Sequence, residues 1–166
     1  MSENVDTICV QGGYQPGNGE SRTPPIIQAT TFKYQSSEQM SRLFDLSESG
    51  YFYTRLQNPT NDTVAAKICE LEGGAAAMLT SSGQAANFFA LFNICNNGDH
   101  IVASDSLYGG TWNIFLHTLG DLGVETTFVS QTDVAEWRAA VKPNTKLLFA
   151  ETPTNPLTEV CDIAAL

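Results

Sequence analysis

The stretch Ala75–Asn87, AAAMLTSSGQAAN, decides how this chain is read. A small apolar run from Ala75 to Thr80 breaks at Ser81–Ser82–Gly83, and a long apolar helical pattern starts at Gln84. The order predicted is strand over Ala75–Thr80, tight glycine turn, then helix over Gln84–Cys95. Such a junction leaves the N–H groups of a helix start unpaired and aims them past the strand end, together with the positive end of the helix dipole. A phosphate fits that place. An ordinary βα turn capped by serine has the same local sequence, so the decision rests on where the other unusual residues fall.

Downstream the alternation continues. Asn97–Gly98 turns the chain into a strand over His100–Ser104. A helix over Tyr108–Leu119 then sets Trp112, Phe115, Leu116 and Leu119 on one stripe. A strand over Val124–Val129 leads to a helix capped by Thr132 or Asp133, with Val134, Trp137 and Val141 facing inward. Lys142–Pro143–Asn144 turns into a fourth strand over Lys146–Ala150. The helix from Gln84 is apolar almost all round (Phe88, Phe89, Leu91, Phe92, Ile94), which predicts burial on every side. Strands alternating with helices over short links make an α/β domain with a mostly parallel, helix-flanked sheet. Asp162 reads as an N-cap before Ile163–Leu166, so a helix begins as the sequence closes, and the expectation is the first part of a larger, truncated domain.

Upstream, residues 1–35 are punctuated by Gly12–Gly13, Pro16–Gly17, Gly19 and Pro24–Pro25 and sustain neither the helix nor the strand period. Their apolar patches (Ile26, Ile27, Phe32, Tyr34) mark an arm that lies on something else. A short helix from Ser37 carries Met40, Leu43 and Phe44 on one face. The loop Gly50–Thr60, GYFYTRLQNPT, is aromatic with a single arginine. Pro59 and Thr60 open a helix with Val64, Ile68 and Leu71 at helical spacing, ended by Gly73–Gly74. The organisation expected is an arm and interface segment over 1–59 and the first part of a large domain over 60–166.

Composition narrows the function. The chain has 166 residues, 8 basic against 18 acidic, and a formal net charge of −10, which argues against a nucleic-acid or anionic-membrane surface. No stretch reaches the apolar length of a membrane span, and the N-terminus lacks a signal-peptide layout. Cys9, Cys69, Cys95 and Cys161 are scattered without a CxxC pair, so neither a zinc site nor a disulfide framework is expected, and a cytoplasmic protein with reduced thiols is.

In a parallel α/β sheet ligands sit beyond the carboxyl ends of the strands. Three loops leave such ends: Ser81–Gln84, Asp105–Gly110 with an aromatic ring beside two glycines, and Glu151–Pro156, where prolines stiffen a loop carrying a carboxylate and an amide. A phosphate cradle, a flat ring and hydrogen-bonding groups at one edge fit a phosphorylated aromatic cofactor. A nicotinamide dinucleotide is disfavoured because no GxGxxG follows the first strand, and no GxxxxGK[ST] is present for a nucleoside triphosphate.

YTRLQNPT (Tyr53–Thr60), SSGQAA (Ser81–Ala86), DSLYGGTWN (Asp105–Asn113) and ETPTNP (Glu151–Pro156) together resemble the Cys/Met-metabolism family of pyridoxal-phosphate enzymes, and PPIIQATTF (Pro24–Phe32) resembles that family's arm. The resemblance implies an aspartate-aminotransferase-like large domain. It implies that Ser82, Gly83 and Gln84 hold the phosphate of pyridoxal 5'-phosphate, that Tyr108 stacks on the pyridine ring, and that Asn155 bonds the ring's phenolic oxygen. Tyr53 and Arg55 would serve the phosphate in a neighbouring subunit's site, Glu151 would support from behind, and Tyr108 and Tyr53 stand as the candidate catalytic residues. The family's cofactor-bearing lysine, ring-nitrogen aspartate and further phosphate-binding Ser/Thr would all lie beyond Leu166, since Lys33, Lys67, Lys142 and Lys146 occupy none of those contexts.

YGGTWN and GDLG (Gly120–Gly123) resemble the O-acetylhomoserine sulfhydrylase branch, and Gly110 stands where methionine γ-lyases usually carry a cysteine. The implied activity is formation of homocysteine from O-acetyl-L-homoserine and sulfide, in methionine and cysteine biosynthesis. Cystathionine γ-synthase and the methionine or cystathionine γ-lyases are the alternatives within the family, and a non-catalytic fragment or interaction module is the alternative outside it. A homo-oligomer, a dimer of dimers with shared sites, is implied, with a second polypeptide a possible source of the C-terminal part and with no metal.

Overall fold

The strand β1 (His100–Ser104) is buried along its whole length, as an apolar strand covered on both faces must be. It is the centre of a three-stranded sheet in the order β2–β1–β3, with β2 (Glu125–Val129) and β3 (Thr145–Phe149) both parallel to it. The computed structural model describes residues 4–166, and the reading of Met1–Glu3 as the start of the arm lies outside them. Helices cover both faces of the sheet. On one, Leu91 and Cys95, from and just after α4 (Gly83–Ile94), meet Ile101, Ala103, Leu107, Phe115, Leu119 and Val124. On the other, Trp137 of α6 (Val134–Ala140) packs with Val102 and Val129. The expected class, a mostly parallel, helix-flanked sheet, is the one found.

Three expectations need correction. No ladder forms over Ala75–Thr80, whose residues 75–79 are exposed, so the sheet has three strands among the described residues. Strand geometry persists only where the backbone finds a partner, and three consecutive alanines add little side-chain packing to hold it. Helix α4 is not buried all round: Leu91 is buried, while Phe89 and Phe92 are 52% and 58% exposed. Leu91 packs into the core cluster with Ile101 and Ala103, and the rings of Phe89 and Phe92 stay outside that cluster. The helix expected over Tyr108–Leu119 begins as α5 (Gly109–Asn113) and continues as π-helical turns over Ile114–Leu119, with Phe115 and Leu119 both buried.

The chain divides into two compact units after Leu79. Among the described residues the first unit has three helices: α1 (Val5–Gln11), α2 (Ser37–Phe44) and α3 (Pro59–Leu71). Helix α1 was not legible in the arm. It is short and buries only Ile8, and its stability at the N-terminus comes from Asn4, whose side chain accepts the Asp6 N–H at 3.0 Å. The arm lies along the aromatic loop. Thr31 and Tyr53 form an antiparallel bridge, Phe32 N–H donates to Phe52 O at 3.2 Å, and Thr54 N–H donates to Thr30 O at 2.9 Å. Asn58, buried, caps α3 and donates to Ile27 O and Thr54 Oγ1, so one amide ties arm, loop and helix together. Val64 and Ile68 of α3 are nearly half exposed, not core residues.

No helix among the described residues is long and apolar enough to cross a membrane.

Candidate active site

In the unit from Thr80, three chain segments meet at the carboxyl edge of the sheet. Ser82 caps α4: its Oγ accepts the Ala85 N–H at 3.1 Å, and Thr80 Oγ1 donates to Ser82 O at 2.8 Å. The N–H groups of Gly83 and Gln84, at the first two helical positions, have no intrahelical acceptor. A Cβ on Gly83 would meet no atom within 4 Å outside its chain neighbours and its own helix backbone.

The Gln84 side chain turns inward. Its Nε2 donates to Thr111 Oγ1 at 3.2 Å, Asn87 Nδ2 donates to the same hydroxyl at 3.3 Å, and Thr111 is fully buried in α5. This pair of bonds fixes the α4 start against the segment that carries Tyr108. Gln84 Oε1 is buried and has no partner among the described residues. Thr111 and Asn87 escaped the sequence reading. The one signal for them was a threonine in a stripe otherwise made of large apolar residues.

Tyr108 precedes α5 and is 47% exposed. A Cβ placed on Gly110 would stand 2.7 Å from Tyr108 Cε1 and 3.3 Å from Gln84 Cδ, so the glycine is what lets the ring lie close over the first turn of α5. Tyr108 N–H donates to Glu151 Oε2 at 3.0 Å. Glu151 is just past the end of β3, and the loop after it is closed by buried Thr154, whose N–H donates to Glu159 O at 3.0 Å and whose Oγ1 accepts the Glu159 N–H at 2.9 Å. Asn155 sits at the exposed tip of that loop.

Gln131, also missed from sequence because a glutamine after a strand reads as a solvated turn residue, is buried between these segments. Its Nε2 donates to Glu151 O at 2.9 Å and to Glu159 O at 3.2 Å.

The structure thus brings Ser82, Gly83, Gln84, Tyr108, Glu151 and the Asn155 loop to one edge. Tyr53 and Arg55 belong to the other unit. There the Arg55 guanidinium carbon lies 5.0 Å from the Tyr53 ring centroid, a cation–π contact that holds the two side chains together. Arg55 forms no ion pair among the described residues. Tyr53 also lines an open groove of about 410 Å³ with Phe32, Lys33, Phe44 and Phe52. In the same loop, burial and then the Asp62 carboxylate push the Tyr51 phenol up, which keeps it neutral.

At the opposite edge of the sheet His100 is fully buried, with Nδ1 2.7 Å from Thr145 Oγ1 and Nε2 2.8 Å from Thr127 Oγ1, so one ring spans all three strands. Burial, and secondarily the nearby Lys142, hold its pKa below the usual histidine range against a smaller opposing effect of Glu125.

Against known proteins, the family model described as "Cys/Met metabolism PLP-dependent enzyme" matches residues 6–166. An O-acetyl-L-homoserine sulfhydrylase of Leptospira meyeri is 43% identical over 162 residues, covering 97% of this chain and 37% of the relative. An L-methionine gamma-lyase of Treponema denticola is 48% identical over 142 residues, covering 86% of this chain and 35% of that protein. Among solved structures, a Campylobacter jejuni chain described as an O-acetylhomoserine (thiol)-lyase, with N'-pyridoxyl-lysine-5'-monophosphate, superposes with a TM-score of 0.86 at 34% identity, over 97% of this chain and 40% of that one. The chain spans between a third and two fifths of the length of these relatives.

Proposed function

Because this chain belongs to the Cys/Met-metabolism family of pyridoxal-phosphate-dependent enzymes, we propose that it forms the phosphate-and-ring side of a cofactor site in an enzyme that makes homocysteine from O-acetyl-L-homoserine and sulfide. The observation that carries the cofactor reading is the joining of the α4 start, whose first N–H groups lack an intrahelical acceptor, to the segment bearing exposed Tyr108 through the Gln84–Thr111 bond.

In this reading Ser82 fixes the helix start, and the Gly83 and Gln84 N–H groups bind the phosphate. Tyr108 covers the ring face and keeps water from it, and the Asn155 amide donates to the ring's phenolic oxygen. When bound, pyridoxal phosphate supplies an electron sink for loss of the substrate's α-proton. Tyr53 and Arg55 hold the phosphate of a neighbouring subunit's site. A dianionic phosphate in a chain of net charge −10 gains most from a guanidinium free to bind it with two parallel bonds. The lysine that carries the cofactor is supplied from outside these residues, so the chain by itself is inactive. The complete protein is cytoplasmic and a homotetramer with shared sites, taking a small amino acid and sulfide.

Choice of reaction rests on Gly110. A cysteine there, as in the family's methionine γ-lyases, would push its Cβ into the present position of the Tyr108 ring. The test joins this sequence in frame to the C-terminal part of the Leptospira meyeri sulfhydrylase and, separately, of the Treponema denticola lyase. Homocysteine from O-acetyl-L-homoserine and sulfide exceeding keto acid from L-methionine in both chimeras supports the sulfhydrylase reading. Methionine cleavage dominating in both moves the chain to the lyase branch.

A further inference from the structure

Gln131 has no part in the roles above, yet its amide touches the segments that carry them. The residue is 2% exposed, and its Nε2 donates to two main-chain carbonyls, Glu151 O at 2.9 Å and Glu159 O at 3.2 Å, which flank the loop bearing Asn155. The first of these belongs to the residue whose carboxylate accepts the Tyr108 N–H. The backbone just before Gln131 is itself held. Ser130 O accepts the indole N–H of buried Trp137 at 3.0 Å, and Ser130 N–H donates to Glu136 Oε2 at 2.8 Å, both from α6.

We propose that Gln131 is a positioning residue that sets Tyr108 and the Asn155 loop in register by bridging Glu151 O and Glu159 O. The loop after β3 has no ladder of its own, and the bonds that close it (Thr154 N–H to Glu159 O, Glu159 N–H to Thr154 Oγ1) hold its two limbs to each other but not to the sheet. Gln131 supplies that attachment. It does so from a point anchored by α6, so the loop inherits the rigidity of the helix-covered face. A buried amide suits the task because one NH₂ group gives two donors to two carbonyls. Neither an apolar residue of the same length nor a carboxylate can do this, and a carboxylate would face two carbonyl oxygens in like polarity.

The inference rests on the reading of Tyr108 and Asn155 as cofactor contacts, but its test needs no cofactor. In the 166-residue chain, amide hydrogen exchange is measured for wild type, Gln131→Met and Gln131→Glu. Gln131→Met is expected to cut the protection of the Thr154 and Glu159 amides and of the Tyr108 amide by roughly tenfold, with Ile101–Ser104 of β1 unchanged. Gln131→Glu is expected to show the same loss near pH 7 and to recover part of the protection on mild acidification, because burial raises the carboxyl's pKa and the protonated form donates its one O–H to one of the two carbonyls. Wild type carries no such recovery. Loosening confined to Thr154 and Glu159, with Tyr108 unmoved, overturns the proposal and leaves Gln131 a loop staple. If Gln131→Met fails to fold, Gln131→Glu decides alone: pH-independent protection at Tyr108 overturns the proposal, and recovery on acidification carries it. Either outcome is independent of whether pyridoxal phosphate binds.

Discussion

Glu151 accepts the backbone N–H of Tyr108 at 3.0 Å, across 43 residues of sequence. The bond joins the ends of β1 and β3, which are parallel neighbours in register at Ala103 and Phe149. It places a carboxylate beneath the aromatic residue that faces outward. Removing the acceptor frees the start of α5, and with it the ring.

Glu151→Ala is therefore expected to destabilise the chain by about 1 kcal/mol, the size of one hydrogen bond to a charged acceptor at a partly exposed site, and to shift the Tyr108 amide resonance. Glu151→Gln keeps an acceptor oxygen and should restore most of both. Chemical denaturation and a ¹⁵N–¹H spectrum check this together. An unshifted Tyr108 amide in Glu151→Ala would remove the bond from the account.

Gly110→Ala separates stability from geometry. Alanine in place of glycine in a helix contributes about 0.5–1 kcal/mol, while its Cβ would meet the Tyr108 ring at 2.7 Å. The ring is exposed and can rotate, so the expected outcome is unchanged or slightly raised stability with displaced Tyr108 ring resonances. A loss of more than about 2 kcal/mol would mean that the ring cannot move, contrary to its exposure.

His100 makes the fold sensitive to mild acid. Neutral imidazole donates through one nitrogen and accepts through the other between Thr145 and Thr127, and protonation leaves two donors where one hydroxyl must turn away. Its pKa is depressed in the fold, so the unfolded chain binds more protons below the ordinary value of about 6.5. Stability is full above that value and falls as pH drops toward the folded pKa. The groups beside the ring, Lys142 and Glu125, form an ion pair of 2.6 Å whose carboxylate is also held below its usual range, so it titrates at lower pH and leaves this window to the histidine. The melting temperature should drop as pH falls below about 6.5, and His100→Gln, which keeps a donor and an acceptor without titrating, should flatten that drop. An equal drop in His100→Gln would assign it elsewhere.

How far these features could be read from sequence follows from how local their causes are. Helices α2, α3, α4 and α6 follow from their own caps and spacing: Ser36, Asn58, Ser82 and Asp133 each accept a first-turn N–H. The central strand was legible because its short apolar run, Ile101–Ala103, follows the turn residues Asn97–Gly98 and is too short for a helix. What failed was non-local. Ala75–Thr80 looked like a strand because its composition fits one, but a ladder partner is not written in the segment itself. Phe89 and Phe92 looked buried because amphipathicity says nothing of how many faces find a neighbour. At the candidate site, Gly83, Tyr108 and Asn155 were singled out through motif order. Thr111 and Gln131 were not, because their importance lies in bonds to residues far along the chain.

The α4 start is proposed to take the phosphate of a pyridoxal cofactor whose ring lies on Tyr108, and titration of ¹⁵N-labelled chain with pyridoxal 5'-phosphate and, in parallel, with pyridoxal lacking the phosphate decides it. Saturable shifts of the Gly83 and Gln84 amides are expected with the phosphorylated compound, little movement of them with pyridoxal, and displaced Tyr108 ring resonances. Gly83 and Gln84 amides that stay still while the phosphorylated compound shifts other residues, or that move equally with both compounds, would contradict it.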